Sequence, residues 1–162
     1  MARIYVGIGS NVERLANVRG AVAALRRHFG TLQLSRVYES EAVGFDGADF
    51  YNMVAGFDSP LSIPEVATVL REIEAGHGRE RRGGRFAPRT LDLDLLLYGD
   101  RVVEEQGIRI PREEILTCAF VLRPLAEIAP DLHHPEDGRT LRELWDRFGG
   151  SGQRLMPVDV RL

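Results

Sequence analysis

Asp92 and Asp94 stand two residues apart at the head of the apolar run Leu95-Leu96-Leu97. They follow directly on a loop that carries Arg79, Arg81, Arg82, Arg85 and Arg89. Side chains at i and i+2 of a strand point to one face, roughly 6.5–7 Å apart along the chain. Two carboxylates so placed repel each other unless a cation sits between them. Hard carboxylate oxygens suit Mg²⁺, which is usually held by one or two carboxylates together with waters and substrate phosphates. Arginines beside the pair offer bidentate donors to such phosphates. Each half has a plainer reading. A paired aspartate also marks a solvated strand face, and an arginine run also marks a solvated loop. Their direct succession favours a metal–phosphate site.

The elements that must position this stretch can be read from period and punctuation. Arg3 to Gly9 alternates as a strand, with Ile4, Val6 and Ile8 on one side. Gly7-Ile8-Gly9-Ser10-Asn11 reads as a tight strand-to-helix turn, and Ser10 with Glu13 as a capping box. It is not a dinucleotide fingerprint, because the third glycine would fall on Val12. Leu15, Val18, Val22, Leu25 and Phe29 give the first helix its apolar stripe, and Gly30 ends it. Leu32–Ser40 and Phe50–Phe57 read as strands. Ser62-Ile63-Pro64-Glu65 opens a second helix with a capping box and a proline in its first turn; Val66, Val69, Leu70 and Ile73 line its buried side. Leu91–Tyr98 is the Asp-bearing strand. Ile108 and Ile110 pair back on Arg101–Glu104 as a small hairpin. Pro124 divides Phe120–Ala129 into two short helical turns. Thr140-Leu141-Arg142-Glu143 starts a last helix, and Arg154–Val160 reads as a last strand. The expected fold is α+β: a ferredoxin-like β-α-β-β-α-β core with an added hairpin and C-terminal helix, in one domain over 1–162. A two-layer sheet of this kind offers one open face. The loops at 41–49 and 79–89, with Gly44, Gly47, Gly83 and Gly84, are candidates for lids over it.

Composition narrows the class. With 162 residues, 44% hydrophobic and 28% charged, one ordinary globular domain is expected. No apolar run approaches 18 residues, so no transmembrane helix is expected. Met1-Ala2-Arg3-Ile4 leads into a strand pattern rather than a signal peptide. Cys118 is the single cysteine, which excludes an internal disulfide and fits a reducing cytoplasm. A net charge of −3 argues against a general nucleic-acid binder. All 21 basic residues are arginine, so no lysine takes part in catalysis.

Pro88-Arg89-Thr90-Leu91-Asp92-Leu93-Asp94, Gly7-Ile8-Gly9-Ser10-Asn11 near the N-terminus and Phe50-Tyr51-Asn52 before the second helix together resemble the 6-hydroxymethyl-7,8-dihydropterin pyrophosphokinases of folate biosynthesis. The resemblance runs from about Ile4 to Leu132. It implies transfer of diphosphate from ATP to the hydroxymethyl oxygen of the pterin, with AMP leaving. It implies Asp92 and Asp94 as ligands of two Mg²⁺ ions. It places ATP on Glu74, Arg79, Arg81, Arg82, Arg85, Arg89, Leu95 and Arg112, with Arg82 and Arg89 stabilising charge in the transition state. It gives the pterin to Glu41, Ala42 and Val43 through their backbones, to the amide of Asn52, and to a sandwich between Phe50 and Phe120. A monomer that binds neither nucleic acid nor membrane is expected.

Several of these residues look ordinary alone. Phe50 and Phe120 read as core, Asn52 as a strand-edge residue, Glu74 as solvent-facing and His133-His134-Pro135 as a surface loop. The chain also departs from the family pattern. Arg112 follows Pro111 where a histidine is usual, and Cys118 stands where an arginine is usual. Arg112 is expected to restore the lost charge. Two rivals remain at this point: a catalytically weakened member that only binds pterin or nucleotide, and an RNA-binding module on the same scaffold. The second needs exposed aromatics where this chain has aspartates.

Overall fold

Ile4, Val6 and Ile8 alternate with Tyr5, Gly7 and Gly9, and this period of two builds β1 (Ala2–Ser10), an interior strand of the sheet. The computed structural model describes residues 1–41, 49–77, 91–149 and 152–162. The order continues through α1 (Arg14–Phe29), β2 (Gln33–Leu34), β3 (Val37–Ser40), β4 (Phe50–Ser59), α2 (Ile63–Gly76) and β5 (Asp92–Tyr98). A hairpin of β6 (Val103–Glu105) and β7 (Ile108–Ile110) follows, then α3 (Glu114–Thr117), α4 (Ala119–Ile128), α5 (Leu141–Phe148) and β8 (Leu155–Val158). The sheet runs β5-β1-β4-β3-β8, with β2 also paired to β4. Its first four strands are the ferredoxin-like β-α-β-β-α-β arrangement.

The two faces of the sheet hold two cores. Ile4, Val6 and Ile8 of β1, Met53 and Phe57 of β4, and Leu93 of β5 meet α1 and α2. Phe57 is fully buried and stacks on Phe29 with ring centroids 4.2 Å apart. On the other face Tyr5, Val54 and Leu96 meet Leu122 and Leu125 of α4 and Leu141 and Leu144 of α5. The expectation of an open second face is therefore corrected: α4 and α5 cover part of it. Among the described residues, these helices leave open the part where β1 carries Gly7 and Gly9 and β5 carries its aspartates. An apolar helix cannot dry carboxylates without a large desolvation cost, so the helical cover stops short of them.

Local punctuation explains most element boundaries. Ser62 and Thr140 form capping boxes with Glu65 and Glu143, each worth about 1 kcal/mol. The box expected at Ser10 and Glu13 does not form. β1 stays paired to β4 as far as Ser10 opposite Tyr51, so the chain turns over 11–13 and α1 starts at Arg14. Glu13 takes a left-handed conformation at φ 42°, and the Ser10 hydroxyl donates to Val12 O instead. Gly7 and Gly9 accordingly lie in the strand and not in the turn. The strand expected over 32–40 is split at Ser35, whose hydroxyl accepts the Val54 N–H at 2.9 Å. Pro124 does not divide 120–129. α4 runs through it: a proline at the sixth helical position forfeits the bond to Phe120 O and crowds that carbonyl, and burial of the apolar face, which continues in Leu125 and Ala126, offsets the cost. Among the described residues no helix is long and apolar enough to cross a membrane.

Candidate active site

The antiparallel register places Asp92 opposite Gly9 and Asp94 opposite Gly7. Leu93 between them is buried in the α1/α2 core, so both carboxylates leave the sheet on the other face, as the two-residue period requires. The same register continues across Gly9 to Asn52 and from Asn52 to Tyr38. Glycine opposite each aspartate keeps the floor low. A Cβ at Gly9 would lie 3.1 Å from Asn52 Oδ1, so this strand can carry no side chain there without moving the amide.

Above this floor is a cleft of about 360 Å³. Asp92, Asp94 and Arg112 line one end, and Asn52, Phe50 and Phe120 the other. Asn52 is 7% exposed, and its Nδ2 donates to Ser40 Oγ at 2.6 Å. That bond fixes the amide orientation, and both residues line the cleft. Phe50 begins β4 and Phe120 lies in the first turn of α4; both are half-buried, with ring surface left for a ligand. Glu41 is exposed and pairs with Arg154 at 3.1 Å. A second cleft, about 150 Å³, opens toward α2 and β7 between Leu70, Arg71, Leu95, Ile108 and Arg109. The two clefts share Asp94 and Arg112.

The electrostatics of that junction are strained toward negative charge. Burial pushes the Asp94 carboxyl up; Arg112 opposes the shift, while Asp92, Glu74 and Glu114 reinforce it. Arg112 approaches Asp94 Oδ1 at 3.5 Å through NH2 and pairs with Glu114 through Nε. Its backbone N–H is anchored on Leu96 O at 3.0 Å. Like carboxylates crowding one site disfavour ionisation, and a bound cation removes the penalty. Among the described residues no group of three or more His, Cys, Asp or Glu forms a cage for a metal. Two aspartates on one face are the donor set of an ion that keeps waters or substrate oxygens, which fits Mg²⁺ better than a closed protein site.

The expected site residues fall into three groups. Asp92, Asp94, Arg112, Asn52, Phe50, Phe120 and Glu41 line one cleft, and Leu95 lines the second. Glu74 corrects the reading it has alone. It is 7% exposed, and its Oε2 accepts the Leu93 N–H at 2.9 Å. β5 is the edge of the sheet, and Glu74 supplies the acceptor that a further strand would have given. It thereby holds α2 against the peptide between the two aspartates. Ala42, Val43, Arg79, Arg81, Arg82, Arg85 and Arg89, together with the glycines proposed for lids, lie outside the described residues. His134 is also corrected: it is 2% exposed, not a surface residue, and its Nδ1 accepts N–H bonds from Glu136 and Asp137. The sequence reading missed Ser40, Glu114, Arg71 and Arg109. It also missed Gly7 and Gly9 as a floor, although their spacing matches that of the aspartates.

A model of the 7,8-dihydro-6-hydroxymethylpterin-pyrophosphokinase family matches residues 5–130. A 2-amino-4-hydroxy-6-hydroxymethyldihydropteridine pyrophosphokinase from Synechocystis is 41% identical over 142 residues, covering 86% of this chain and 72% of the relative. The enzyme of that name from Pseudomonas aeruginosa is 40% identical over 146 residues, covering 88% of this chain and 89% of the relative. Among solved structures, wild-type Plasmodium falciparum HPPK-DHPS shares the fold with a TM-score of 0.69 at 12% identity, over 91% of this chain and 44% of that one. The present chain thus spans less than half of that larger protein. The match covers both glycines of the floor, Asn52, the paired aspartates and Phe120, and on it the chain belongs to the 7,8-dihydro-6-hydroxymethylpterin-pyrophosphokinase family.

Proposed function

We propose that this chain transfers diphosphate from ATP to the hydroxymethyl group of 6-hydroxymethyl-7,8-dihydropterin and releases AMP. The carrying observation is the pair of clefts that share Asp94 and Arg112. A transfer between two substrates needs two pockets with the reacting groups at their junction, and the junction must tolerate polyphosphate charge. The wider cleft takes the pterin. Asn52 offers a donor and an acceptor to the ring edge, and Phe50 and Phe120 offer aromatic faces worth about 0.5–1.5 kcal/mol each beyond area burial. The cleft at Leu70, Leu95 and Ile108 takes the base and ribose of ATP, with Arg71 and Arg109 at its rim.

In the reaction the pterin's hydroxyl oxygen bonds to the β-phosphorus. The bond from that phosphorus to the α,β-bridging oxygen breaks, AMP leaves with the electron pair, and the hydroxyl proton is lost. Holding both substrates at one junction accounts for much of the rate, since alignment replaces a bimolecular encounter. Asp92 and Asp94 would hold Mg²⁺, two ions by analogy with the family, which supply charge neutralisation on the phosphates and acidify the attacking hydroxyl. Asp92 is the residue proposed to help take up that proton. Arg112, with Arg82 and Arg89, would stabilise the charge that develops on the transferred group. Glu74 fixes the β5 backbone that carries both aspartates. We take the enzyme to act as a monomer, and the lone Cys118 fits a reducing cytoplasm.

The test is AMP release from ATP and Mg²⁺ with and without the hydroxymethyl-dihydropterin. The expected result is release that requires all three components and matches the pterin consumed. AMP release that ignores the pterin, or none with every component present, would overturn the proposal.

A further inference from the structure

Phe120 is the second residue of α4, and no local side chain caps that end of the helix. Cys118 is the N-cap and makes no side-chain capping bond. The bonds come instead from Gln153, beyond the 5–130 stretch that the family model matches. Its Oε1 accepts the Ala119 N–H at 2.7 Å, and its Nε2 donates to Thr117 O at 3.0 Å. One amide thus grips the backbone on both sides of the α3–α4 junction, immediately before the aromatic wall.

The place of Gln153 is set from the other wall of the cleft. β8 begins two residues later and pairs with β3, Leu155 opposite Ser40. Ser40 is the residue that orients Asn52. Arg123 of α4 donates to Leu155 O at 3.3 Å, which adds a second tie between the segment and the helix. Phe120 also borders a small open cleft of about 120 Å³, together with Ser40, Glu41, Ala119, Gly152, Gln153 and Arg154.

We infer that Gln153 is a positioning residue for the pterin half of the cleft: it sets the spacing between Phe120 and the Ser40–Asn52 wall by bracing the start of α4. The inference rests on the reading that Phe120 stacks on the pterin. Gln153 touches no substrate and acts through the helix it caps. Arg154, whose pairing with Glu41 is largely exposed, contributes little.

The experiment compares Gln153→Ala, Gln153→Glu and Arg154→Ala in the full chain. Separate KM values for ATP and the hydroxymethyl-dihydropterin are measured, together with kcat. Loss of the cap is expected to raise the pterin KM about five- to ten-fold in Gln153→Ala. The ATP KM and kcat should stay within about two-fold of wild type. Gln153→Glu keeps the acceptor for Ala119 N–H at a helix start that favours negative charge but loses the donor to Thr117 O, so its pterin KM should fall between those of Gln153→Ala and wild type. Arg154→Ala should leave all three values near wild type. An unchanged pterin KM in Gln153→Ala, or both KM values and kcat worsening together, overturns the inference. Should Gln153→Ala fail to fold, Gln153→Asn, too short to reach both backbone groups, carries the same prediction. A wild-type chain that turns over no pterin removes the functional reading and this inference together. A wild-type chain that turns it over, beside an indifferent Gln153→Ala, removes this inference alone.

Discussion

Arg112→Ala is the substitution that asks most of the site. Arg112 borders both clefts, lies 3.5 Å from Asp94 and pairs with Glu114. A charge-assisted arginine–phosphate contact contributes about 1.5–3 kcal/mol. At about 1.4 kcal/mol per decade this is roughly a ten- to hundred-fold loss of turnover. The Arg112 side chain is 40% exposed without substrate, so solvent screening puts the expected loss near the lower end, about ten-fold. Its effect on the fold should be small, because Asp94 and Glu114 are also partly exposed and such pairs contribute about 0–1 kcal/mol. The assay is steady-state AMP release at saturating pterin over a range of ATP concentrations, with thermal unfolding alongside. The companion is Cys118→Ala. Cys118 contacts Thr117 Oγ1 at the α3–α4 junction and does not line either cleft, so a change below about two-fold is expected. A harmless Arg112→Ala together with a large gain in Cys118→Arg would refute the reasoning: the site would then lack a phosphate ligand that Arg112 never replaced.

Four further substitutions probe other parts of the account. Asp92→Asn and Asp94→Asn should each lower turnover by several orders of magnitude, since losing a metal removes several kcal/mol of transition-state stabilisation; near-normal AMP release by either would dismiss the metal assignment. Because burial and neighbouring carboxylates push the Asp94 carboxyl up, its contribution to stability is present at low pH and lost as pH rises through the folded value. Metal-free Asp94→Asn should therefore melt no lower than wild type at pH 7, and a clear drop in Tm contradicts that sign. Gly9→Ala puts a Cβ 3.1 Å from Asn52 Oδ1, so it should raise the pterin KM and spare the ATP KM; equal loss for both substrates would mean that the floor is structural only. Burial lowers the His134 imidazole from its ordinary value, with Asp137 and Glu136 opposing. Stability should be full above about pH 6.5 and fall as the folded value is crossed downward. His134→Asn can replace the Nδ1 acceptor with Oδ1 and should flatten that slope in denaturant titrations, whereas a parallel slope would clear His134 of the effect.

The parts of the molecule that depend on local period were legible in the sequence. The spacing of Asp92 and Asp94 fixed their common face, and the register against Gly9 and Gly7 confirms it. Ser62 and Thr140 announced their helices because cap and partner lie three residues apart. What local reading could not supply was set by partners distant in sequence. Ser10 carries a capping signal, yet pairing of β1 with β4 holds it in the strand. Glu74 looks like a solvated last-turn residue, and its bond to the Leu93 N–H on the edge strand β5 explains its burial. Pro124 reads as a breaker, but burial of Leu122 and Leu125 against the sheet carries the helix through it. The helical cover on the second face was invisible for the same reason, since nothing in α4 or α5 names the strands they meet. His134 was hidden because its acceptor role toward Glu136 and Asp137 is a property of loop geometry, not of spacing to a metal ligand.

The central claim is that the junction at Asp92, Asp94 and Arg112 passes the β- and γ-phosphates together from one cleft to the other. Phosphorus NMR of a completed reaction tests this directly. The account predicts that the ATP signals give way to one AMP monophosphate signal and two coupled signals of a pterin diphosphate, in equal molar amounts. Formation of ADP with a pterin monophosphate, or of AMP with free pyrophosphate and unmodified pterin, would contradict it.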